Sequence, residues 1–450
     1  MHTSLRGNTV LLLMGDFFTF LVSLVLTLAV RYREVPSTQI IDQHLAPFLI
    51  LFVIWIGVFV IAGLYDRGIF LSRRQIPRLV LRTQFINIVI AALFFFILPF
   101  GIEPKTNLVI YLVISSVLIV FWRLTIFPFF ATGKKLSVLV VGDSVEAQGV
   151  ASVLTSNASF KNIRVFVLSR DQAAGNMQNA LHTIASAHAL DMIIADMREP
   201  HVAALAKDFY TLAFEDQSVQ FYHLPTVYEG LHHRIPPSLV GEVWILEHMN
   251  MNAPRYAYDF GKRIIDIVGA FILGIPCIFI FPLVAVAVAL DSKGPLFYKT
   301  QRIGQDGRPI TLYKFRTKNG VDVGAAALHS TLVDTEVGKF LRKTRLDELP
   351  QLLNVIRGDL SFIGPRPEMP ALAEVYAENI PYYSMRHRIK PGLSGWAQIN
   401  HYDAPRAGVD IERTVTKLSF DLYYLKNRSL LLDLEIALKT IGTLLARSGS

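Results

Sequence analysis

Four apolar stretches near the N-terminus constrain the fold of this chain more than any other feature. They cover Val10–Val30, Ala46–Leu64, Phe85–Ile102 and Leu108–Phe130. About 20 apolar residues in a helix cross the hydrocarbon core of a bilayer, so each stretch is long enough to span it. The first stretch is too long for a cleavable signal, lacks an A-x-A site and is followed by further spans. The sequence therefore predicts a four-span transmembrane domain at residues 1–131.

The composition agrees with a membrane protein that also carries folded domains. Hydrophobic residues make up 52% of the chain and charged residues 18%, against about 25% charged in an ordinary globular protein. These values exclude intrinsic disorder and argue against an ordinary soluble enzyme. The single cysteine, Cys277, excludes an intramolecular disulfide and any zinc site built on several cysteines.

The basic residues predict the orientation of the four-span domain. Five arginines lie at 67–82, between the second and third stretches, and Lys134 and Lys135 follow the fourth. Because positively charged loops stay in the cytoplasm, both ends of the domain are expected there. Arg31 and Arg33, after the first stretch, oppose this rule.

Two charged residues, Asp16 and Arg123, lie inside apolar runs. Charged residues within spans are costly and are often functional. We interpret both as polar groups between helices or near the membrane interface.

A fifth apolar stretch, Ile264–Leu290, lies far downstream and contains Pro276 and Pro282. A spanning helix here would place the remaining chain outside the cytoplasm. Because proline removes a backbone hydrogen bond and clashes with the preceding turn, a helix broken near Pro276 would enter and leave by the same face. The charged residues at both ends of the stretch favour this re-entrant helix.

Residues 132–254 are predicted to form a Rossmann-like, doubly wound middle domain. Apolar strand candidates alternate with helical patterns, which is typical of a parallel sheet. The strand candidates are Leu136–Val141, Ile163–Leu168, Met192–Ala195 and Val219–His223, and the helical patterns include Ala173–His188 and Ala203–Phe214. The turn after the first strand, Gly142-Asp143-Ser144, lacks the later glycines of the dinucleotide fingerprint, so a regulatory or structural domain is favoured over a nucleotide-binding one.

The net charge of +8 is distributed unevenly. Residues 132–260 carry 9 basic and 13 acidic residues, whereas residues 291–450 carry 23 basic and 17 acidic ones. In a membrane protein, this basic C-terminal region indicates phosphate-bearing ligands or anionic lipid, and not nucleic acid.

An adjacent carboxylate pair, Asp347-Glu348, is the strongest chemical feature of residues 255–450. Pro350 fits only the first turn of a helix, so a helix through Gln351–Arg357 begins near the pair. The helix dipole then favours the charged form of both carboxylates. Two ionised carboxylates suit a nucleophile and a metal ligand better than a general acid. A helix N-cap with a surface salt bridge is the alternative.

Several cations accompany this pair in the sequence. Arg366 lies in the rigid turn Gly364-Pro365-Arg366-Pro367, and arginine binds phosphate through two parallel hydrogen bonds. Lys314 and Arg316 alternate with Phe315, which puts both cations on one face of a strand. A structural turn and a solvated edge strand are the alternatives for these two motifs.

The C-terminal region resembles the bacterial sugar transferase family, the monotopic phosphoglycosyl transferases. The resemblance covers roughly 258–445. Its matching strings are KRIID from Lys262, GPLFYKTQRIG from Gly294, YKFRT from Tyr313, RLDELPQLLNVIRGDLSFIGPRPE from Arg345 and KPGLSGW from Lys390. The family often has methionine after KFRT, where this chain has Lys318. The whole arrangement looks like the large members that initiate exopolysaccharide, O-antigen or capsule synthesis.

The resemblance implies a bacterial inner-membrane enzyme that transfers glucose-1-phosphate or galactose-1-phosphate from a UDP-sugar to undecaprenyl phosphate. Asp347 would be the nucleophile and Glu348 the ligand of Mg²⁺. Arg342 and Arg366 match phosphate-holding arginines of the family. Weaker matches to substrate-binding residues are Lys314, Arg316 and Asp359. The resemblance further implies a catalytic domain at 255–450 with a re-entrant helix at 264–290 on the cytoplasmic face. Downstream glycosyltransferases are expected partners, and self-association stays open.

Two alternatives belong to other functional classes. A membrane-anchored nucleotide-sugar dehydratase or epimerase needs a Tyr-x-x-x-Lys pair, and Tyr258 and Lys262 have that spacing. Such an enzyme also needs a glycine-rich loop, which this chain lacks. A non-catalytic scaffold for polysaccharide assembly would not need the intact Asp347-Glu348 pair.

Overall fold

The computed structural model describes most of the chain. The described residues are 3–65, 75–97, 105–130, 136–157, 160, 163–171, 173, 176–216, 219–249, 256–319, 333–400 and 409–445. They form two compact units, Met1–His232 and His233–Ser450. Most basic residues on which the orientation prediction rests lie outside the described residues, namely Arg67, Arg73, Arg74, Lys134 and Lys135.

The first unit begins with the four predicted membrane helices. By length and apolar composition these helices could cross a bilayer, and α12 (Tyr256–Asp291) of the second unit is a fifth such helix. The fourth predicted stretch contains a short π-helix, Trp122–Ile126, between α4 and α5. The helices are α1 (Thr3–Tyr32), α2 (Thr38–Ile61), α3 (Gln75–Ile97), α4 (Lys105–Phe121) and α5 (Phe127–Phe130).

Aromatic side chains fill the centre of the four-helix group. Phe20, Phe52, Trp55 and Tyr111 are almost fully buried and contact one another. The Trp55 indole N–H donates to the carbonyl oxygen of Asn87 at 2.9 Å. Because a lipid environment offers polar groups no water, this bond ties α2 to α3.

Asp16 and Arg123 form a buried ion pair between α1 and the π-helix. The Tyr65 hydroxyl donates to Asp16 at 2.7 Å, and Arg123 donates to the carbonyl oxygen of Leu64 at 2.7 Å. The interpretation of both residues as polar groups between helices is therefore confirmed.

The middle domain contains a parallel four-stranded sheet in the order β2-β1-β3-β4. Its strands lie where the sequence predicted them, although this order is that of flavodoxin-like sheets, and the order 3-2-1-4 belongs to the dinucleotide-binding fold. The strands are β1 (Leu136–Val141), β2 (Ile163–Leu168), β3 (Met192–Ala195) and β4 (Gln220–His223). The helices are α6 (Val145–Ser156), α7 (Met177–Ala187), α8 (Pro200–Ala203), α9 (Ala206–Tyr210) and α10 (Leu224–His232).

The second unit begins before the predicted boundary at residue 254. Ile235, Val240 and Met249 are buried in the main hydrophobic core of this unit, which also contains Trp396 and Tyr424. The segment 233–249, including α11 (Glu242–His248), therefore packs with the C-terminal region and not with the sheet of the middle domain.

The rest of the second unit contains three two-stranded sheets among its described residues. Strands β5 and β6 form an antiparallel hairpin, whereas β9 and β10 are parallel. The strands are β5 (Phe297–Ile303), β6 (Pro309–Phe315), β7 (Lys318–Asn319), β8 (Val333–Asp334), β9 (Ser361–Ile363) and β10 (Gly392–Ser394). The helices are α12 (Tyr256–Asp291), α13 (Glu336–Thr344), α14 (Leu352–Arg357), α15 (Pro370–Asn379), α16 (Trp396–Ile399), α17 (Ile411–Asn427) and α18 (Leu430–Leu445).

Helix α12 is continuous through Pro276 and Pro282 over 36 residues. The break expected near Pro276 is therefore not observed. Proline removes one backbone hydrogen bond, but an otherwise apolar helix in apolar surroundings tolerates this loss by local adjustment.

Both ends of α12 contact the same folded unit. Near its start, Asp266 accepts hydrogen bonds from the Ser361 hydroxyl and the Phe362 N–H, both at 3.0 Å. Near its end, Asp291 accepts from the Val337 N–H at 3.1 Å, and Val288 packs in a cluster with Phe315. The opposite face is apolar and exposed, for example at Phe271, Ile275 and Phe279.

Candidate active site

The predicted carboxylate pair lies at the start of a helix, as expected. Arg345 adopts a left-handed conformation (φ 59°) that ends α13 and begins a 3₁₀ turn, Leu346–Gln351, which leads directly into α14. Pro350 occupies this turn, where its missing N–H costs little. Asp347 is 7% exposed, and its Oδ1 atom has no hydrogen-bond partner among the described residues. The turn therefore presents one buried carboxylate oxygen that is not yet satisfied.

Two of the predicted cations converge on Glu348. The Lys314 ammonium lies 2.6 Å from Glu348 Oε1, and the Arg366 guanidinium lies 3.4 Å from the same oxygen. Lys314 reaches it from β6 and Arg366 from the turn after β9. The structure thus brings together four of the predicted site residues from three separate segments.

The two adjacent carboxylates have different electrostatic environments. Burial raises the pKa of Glu348, but the charges of Arg366 and Lys314 outweigh burial and bring it down to about 2. Burial and then the charge of Glu348 raise the pKa of Asp347 above its usual value. The helix dipole is expected to favour the charged form of both carboxylates, but the pKa of Asp347 is raised because burial and the charge of Glu348 act in the opposite direction.

Asn354, which the sequence analysis did not select, joins the carboxylate helix to the strand that carries Lys314. Its fully buried amide donates to the carbonyl oxygen of Thr311 at 2.8 Å and to Asp359 Oδ2 at 3.1 Å. Asp359, a predicted site residue, thus supports Asn354, and within the described part of the chain it does not contact the carboxylate pair. An asparagine in an apolar helix was the only sequence signal for this role.

Arg316 does not join Lys314 at the carboxylate pair. Strand β6 ends at Phe315, so the alternation of a strand does not extend to Arg316. Its guanidinium donates to the Ser292 hydroxyl at 3.0 Å and to the carbonyl oxygen of Pro295 at 2.6 Å. Arg316 therefore stabilises the chain that follows α12.

In the part of the chain that the structure describes, Arg342 does not contact the carboxylate pair, but its charge acts on Asp347. Its guanidinium binds the Asp334 carboxylate at 2.7 Å and 3.0 Å and is about half exposed. Its charge still acts to lower the pKa of Asp347, as does that of Arg345. The charge of Arg342 therefore acts on Asp347 from a distance, while its guanidinium contacts Asp334.

Contacts with the chain around Lys390 and with Arg386 fix the turn that carries Arg366. A Cβ atom on Gly364 would lie 2.5 Å from the carbonyl oxygen of Lys390, so only glycine permits this close approach. The carbonyl oxygen of Arg366 accepts a hydrogen bond at 2.9 Å from Arg386, which is buried and also binds Asp421 at 2.8 Å. Asp421 neutralises the charge of Arg386 inside the core.

A second buried ion pair, Lys417–Glu368 at 2.5 Å, lies beside Arg386. Lys417 and Asp421 are four residues apart on one buried face of α17, a spacing that sequence reasoning did not use. Arg302, which was not predicted as a site residue, carries a charge that helps to lower the pKa of Glu368. These charges connect the turn around Arg366 to the core of the second unit.

The donor set at the carboxylate pair fits Mg²⁺. Glu348 is held in its charged form, and the unsatisfied oxygen of Asp347 is adjacent. Among the described residues, the only cluster of three or more candidate ligands is Asp143, Glu199 and His201 in the middle domain. A pair supplying one or two carboxylates matches Mg²⁺, which takes its remaining ligands from water and substrate phosphates.

A carboxylate occupies the first strand–helix turn of the middle domain. Glu199 accepts hydrogen bonds from the N–H groups of Asp143 at 2.9 Å and Ser144 at 2.9 Å. These are the N–H groups that bind phosphate in dinucleotide-binding folds. In this structure the carboxylate of Glu199 therefore takes the hydrogen bonds that a nucleotide phosphate would need at this turn.

Tyr258 and Lys262, the residues of the dehydratase alternative, both bind Asp433. The Tyr258 hydroxyl donates to it at 3.0 Å and the Lys262 ammonium at 2.8 Å. Both side chains therefore link α12 to α18.

Comparison with known proteins identifies the family. The bacterial sugar transferase family model matches residues 257–447. A UDP-glucose:undecaprenyl-phosphate glucose-1-phosphate transferase of Caulobacter vibrioides is 39% identical over 43% of this chain and 72% of its own length. The chain belongs to the bacterial sugar transferase family.

Two further relatives are covered less completely. A UDP-N-acetylgalactosamine-undecaprenyl-phosphate N-acetylgalactosaminephosphotransferase of Aeromonas hydrophila is 36% identical over 58% of this chain and 60% of its own length. A UDP-glucose:undecaprenyl-phosphate glucose-1-phosphate transferase of Escherichia coli (strain K12) is 39% identical, over 40% of this chain and 39% of its own length. The similarity therefore spans less than two thirds of the length of each of these two relatives.

Proposed function

We propose that this protein transfers a sugar-1-phosphate from a UDP-sugar to undecaprenyl phosphate, giving undecaprenyl-diphosphate-sugar and UMP. The observation that carries the proposal is the convergence of Lys314 and Arg366 on Glu348, next to the buried carboxylate of Asp347. Phosphoryl transfer depends on positioned cations that neutralise charge on the transferred group. The names of the relatives, which act on UDP-sugars and undecaprenyl phosphate, support the same chemistry.

Asp347 is the proposed nucleophile. Its carboxylate attacks the β-phosphorus of the UDP-sugar, and the bond from that phosphorus to the oxygen bridging the α-phosphate breaks. UMP leaves with the bridging oxygen, and a phosphosugar-aspartyl intermediate remains. A phosphate oxygen of undecaprenyl phosphate then attacks the same phosphorus and releases the Asp347 carboxylate. The unsatisfied Oδ1 and the raised basicity of Asp347 both suit this role.

Glu348, Lys314 and Arg366 bind and orient the phosphates in this scheme. Glu348 would hold Mg²⁺, which when bound would supply positive charge to offset that of the phosphates. Lys314 and Arg366 contact Glu348, and in this scheme each would also donate a hydrogen bond to a phosphate oxygen. Arg342, which is about half exposed and paired with Asp334, would contact a substrate phosphate in this scheme.

We place the reaction on the cytoplasmic face of the bacterial inner membrane, where UDP-sugars are made. Asp266 and Asp291 of α12 are about 37 Å apart along the helix, more than the hydrocarbon core of a bilayer, yet both contact one folded unit. If α12 crossed the membrane, that polar unit would have to lie on both sides. This supports a helix that stays with its domain on one face.

The sugar is left open by the comparisons, because the relatives act on UDP-glucose and UDP-N-acetylgalactosamine, and another is named a UDP-galactose-lipid carrier transferase. The proposed role is the first membrane step of surface polysaccharide synthesis, ahead of downstream glycosyltransferases.

UMP release tests this proposal. The detergent-purified protein is incubated with undecaprenyl phosphate, Mg²⁺ and a panel of UDP-sugars. We expect UMP from at least one sugar, loss of at least about 10²-fold in kcat for Glu348→Gln, and wild-type rates for Glu374→Gln, which changes an exposed glutamate on α15. Absence of UMP with every UDP-sugar would refute the activity and leave the scaffold alternative.

A further inference from the structure

A second charged cavity lies away from the carboxylate pair. It has a volume of about 450 Å³ and is lined by the start of α12, by β9 and by the chain around Lys390. Its wall approaches Gly358, since Lys390 Nζ would lie 3.5 Å from a Cβ at that position. Gly358 follows the end of α14, and Asp347 lies in the turn before it, so these two residues are about 15–20 Å apart along the helical segment.

Cations outnumber carboxylates around this cavity. Five basic residues line it, against three acidic ones, Asp259, Asp266 and Asp306. The basic residues are Lys262, Arg263, Arg388, Lys390 and Arg428.

These cations differ in how far they are neutralised. Lys262 is paired with Asp433, whereas Arg263 donates to the carbonyl oxygens of Val355 and Ile356 and keeps its full charge. Lys390 has no ion-pair partner among the described residues. The cavity is therefore positive and contains at least one ammonium group that is available to an anion.

The surroundings of the cavity are those of a membrane surface. Helix α12, whose first turns line the cavity, exposes apolar residues along one face. Helix α18, joined to α12 through Asp433, exposes a second apolar stripe. Its members are three or four residues apart and share one face, namely Leu431, Leu434, Leu438 and Ile441. Helices of this kind lie at the level of lipid headgroups.

We propose that this cavity binds the phosphate of an anionic membrane lipid, independently of the phosphates that react at Asp347. Basic pockets beside membrane helices bind lipid headgroups in this way. The volume is in the range of small-molecule sites, about 300–1,000 Å³, and exceeds what one phosphodiester needs. The lipid phosphate contacts Lys390 and Arg263, and its acyl chains follow the apolar faces of α12 and α18.

Thermal unfolding of the full-length protein in detergent tests the proposal without using activity. Dihexanoyl-phosphatidylglycerol, dihexanoyl-phosphatidylcholine and inorganic phosphate are titrated separately, and the apparent Kd is obtained from the rise in Tm. We expect a saturable rise with phosphatidylglycerol alone. Removing one cation from a charged hydrogen bond should weaken the apparent Kd of Lys390→Gln about tenfold.

Two further variants make the result interpretable. Arg388→Gln changes a largely exposed cavity residue, so its lipid-free Tm should match wild type while its apparent Kd rises. Lys339→Gln changes an exposed lysine on α13 outside the cavity and should bind like wild type. Wild-type affinity in both Lys390→Gln and Arg388→Gln would overturn the proposal. An equal Lys390-dependent rise with inorganic phosphate would assign the site to a soluble phosphate and overturn the lipid assignment.

Discussion

The roles of single residues around Glu348 can be separated by variants on the two faces of one hairpin. Lys314 contacts Glu348, whereas Lys299 is exposed and pairs across the hairpin with Tyr313, the neighbour of Lys314. Because neighbouring positions of a strand point to opposite faces, Lys299 lies on the other face of the hairpin. Lys314→Met is expected to lower kcat/KM by about 10²–10³ through loss of one positioned cation, and Lys299→Met to leave it unchanged. Equal losses in the two variants would indicate damage to the hairpin.

His387 predicts a pH dependence of stability. Burial and the charge of Arg386 lower its pKa to about 4, with Glu368 opposing and Lys417 adding to the shift. The unfolded chain takes up a proton near pH 6.5, and the folded chain does so only near pH 4. The stabilisation is therefore complete above pH 6.5 and is lost as the pH falls from 6.5 to 4.

The measurement is thermal unfolding of the full-length protein between pH 8 and pH 5. Wild type should lose about 1–2 kcal/mol more than His387→Asn over this range. His248→Asn, which changes an exposed histidine of α11, should behave like wild type. Parallel curves for wild type and His387→Asn would contradict the assignment.

At this scale the sequence identified the residue types but not all of their contacts. The string around Asp347 and Glu348 predicted the pair, and Pro350 predicted the start of its helix. The separate environments of the two carboxylates depend on Lys314 and Arg366, which come from other segments. Arg316 shows the limit most clearly, since one residue past the end of β6 its side chain turns to α12.

Among the elements, the four-helix group depends on one buried ion pair. Arg123→Leu would leave Asp16 buried without its cation and should destabilise the protein by about 3–5 kcal/mol. The double variant Asp16→Asn with Arg123→Leu should recover part of this loss, because it removes the uncompensated charge. Melting of the detergent-purified variants provides the comparison, and a wild-type Tm for Arg123→Leu alone would contradict the importance of the pair.

Periodicity and length predicted the elements well where local sequence determines them. The four strands of the middle domain lie within one residue of their predicted bounds, and each predicted apolar stretch overlaps a helix, although α2 and α3 begin 8 and 10 residues before their stretches. Helix α12 differs because the effect of Pro276 depends on its surroundings: the helix packs on the second unit through residues on both sides of the proline. Local propensity alone could not determine whether the proline would break the helix.

For the whole molecule, the boundary between the two units carries a testable consequence. Ile235, Val240 and Met249 are buried in the core of the second unit. A chain starting at residue 233 should therefore be more stable than one starting at residue 257, by about 1.5–3 kcal/mol for each apolar side chain lost. Expression of both chains in membranes, followed by melting in detergent, measures the difference. Equal Tm values would show that segment 233–249 is dispensable for this core.

The predicted boundary at 254 lies just before the segment that resembles the family, roughly 258–445. Segment 233–249 has no pattern that assigns it to either neighbour, and its position is decided by long-range packing against Trp396 and Tyr424. Such contacts between residues distant in sequence are what a single sequence does not reveal.

The central claim is that Asp347 becomes covalently attached to the phosphosugar before undecaprenyl phosphate reacts. The direct measurement is mass spectrometry of the peptide that contains Asp347, after incubation of the full-length protein with a UDP-sugar that supports turnover, without acceptor. We expect a phosphosugar adduct on Asp347, UMP in an equal amount, and neither product with Asp347→Asn. Release of UMP only when undecaprenyl phosphate is present, with no modified peptide, would contradict the account and indicate direct transfer between the two substrates.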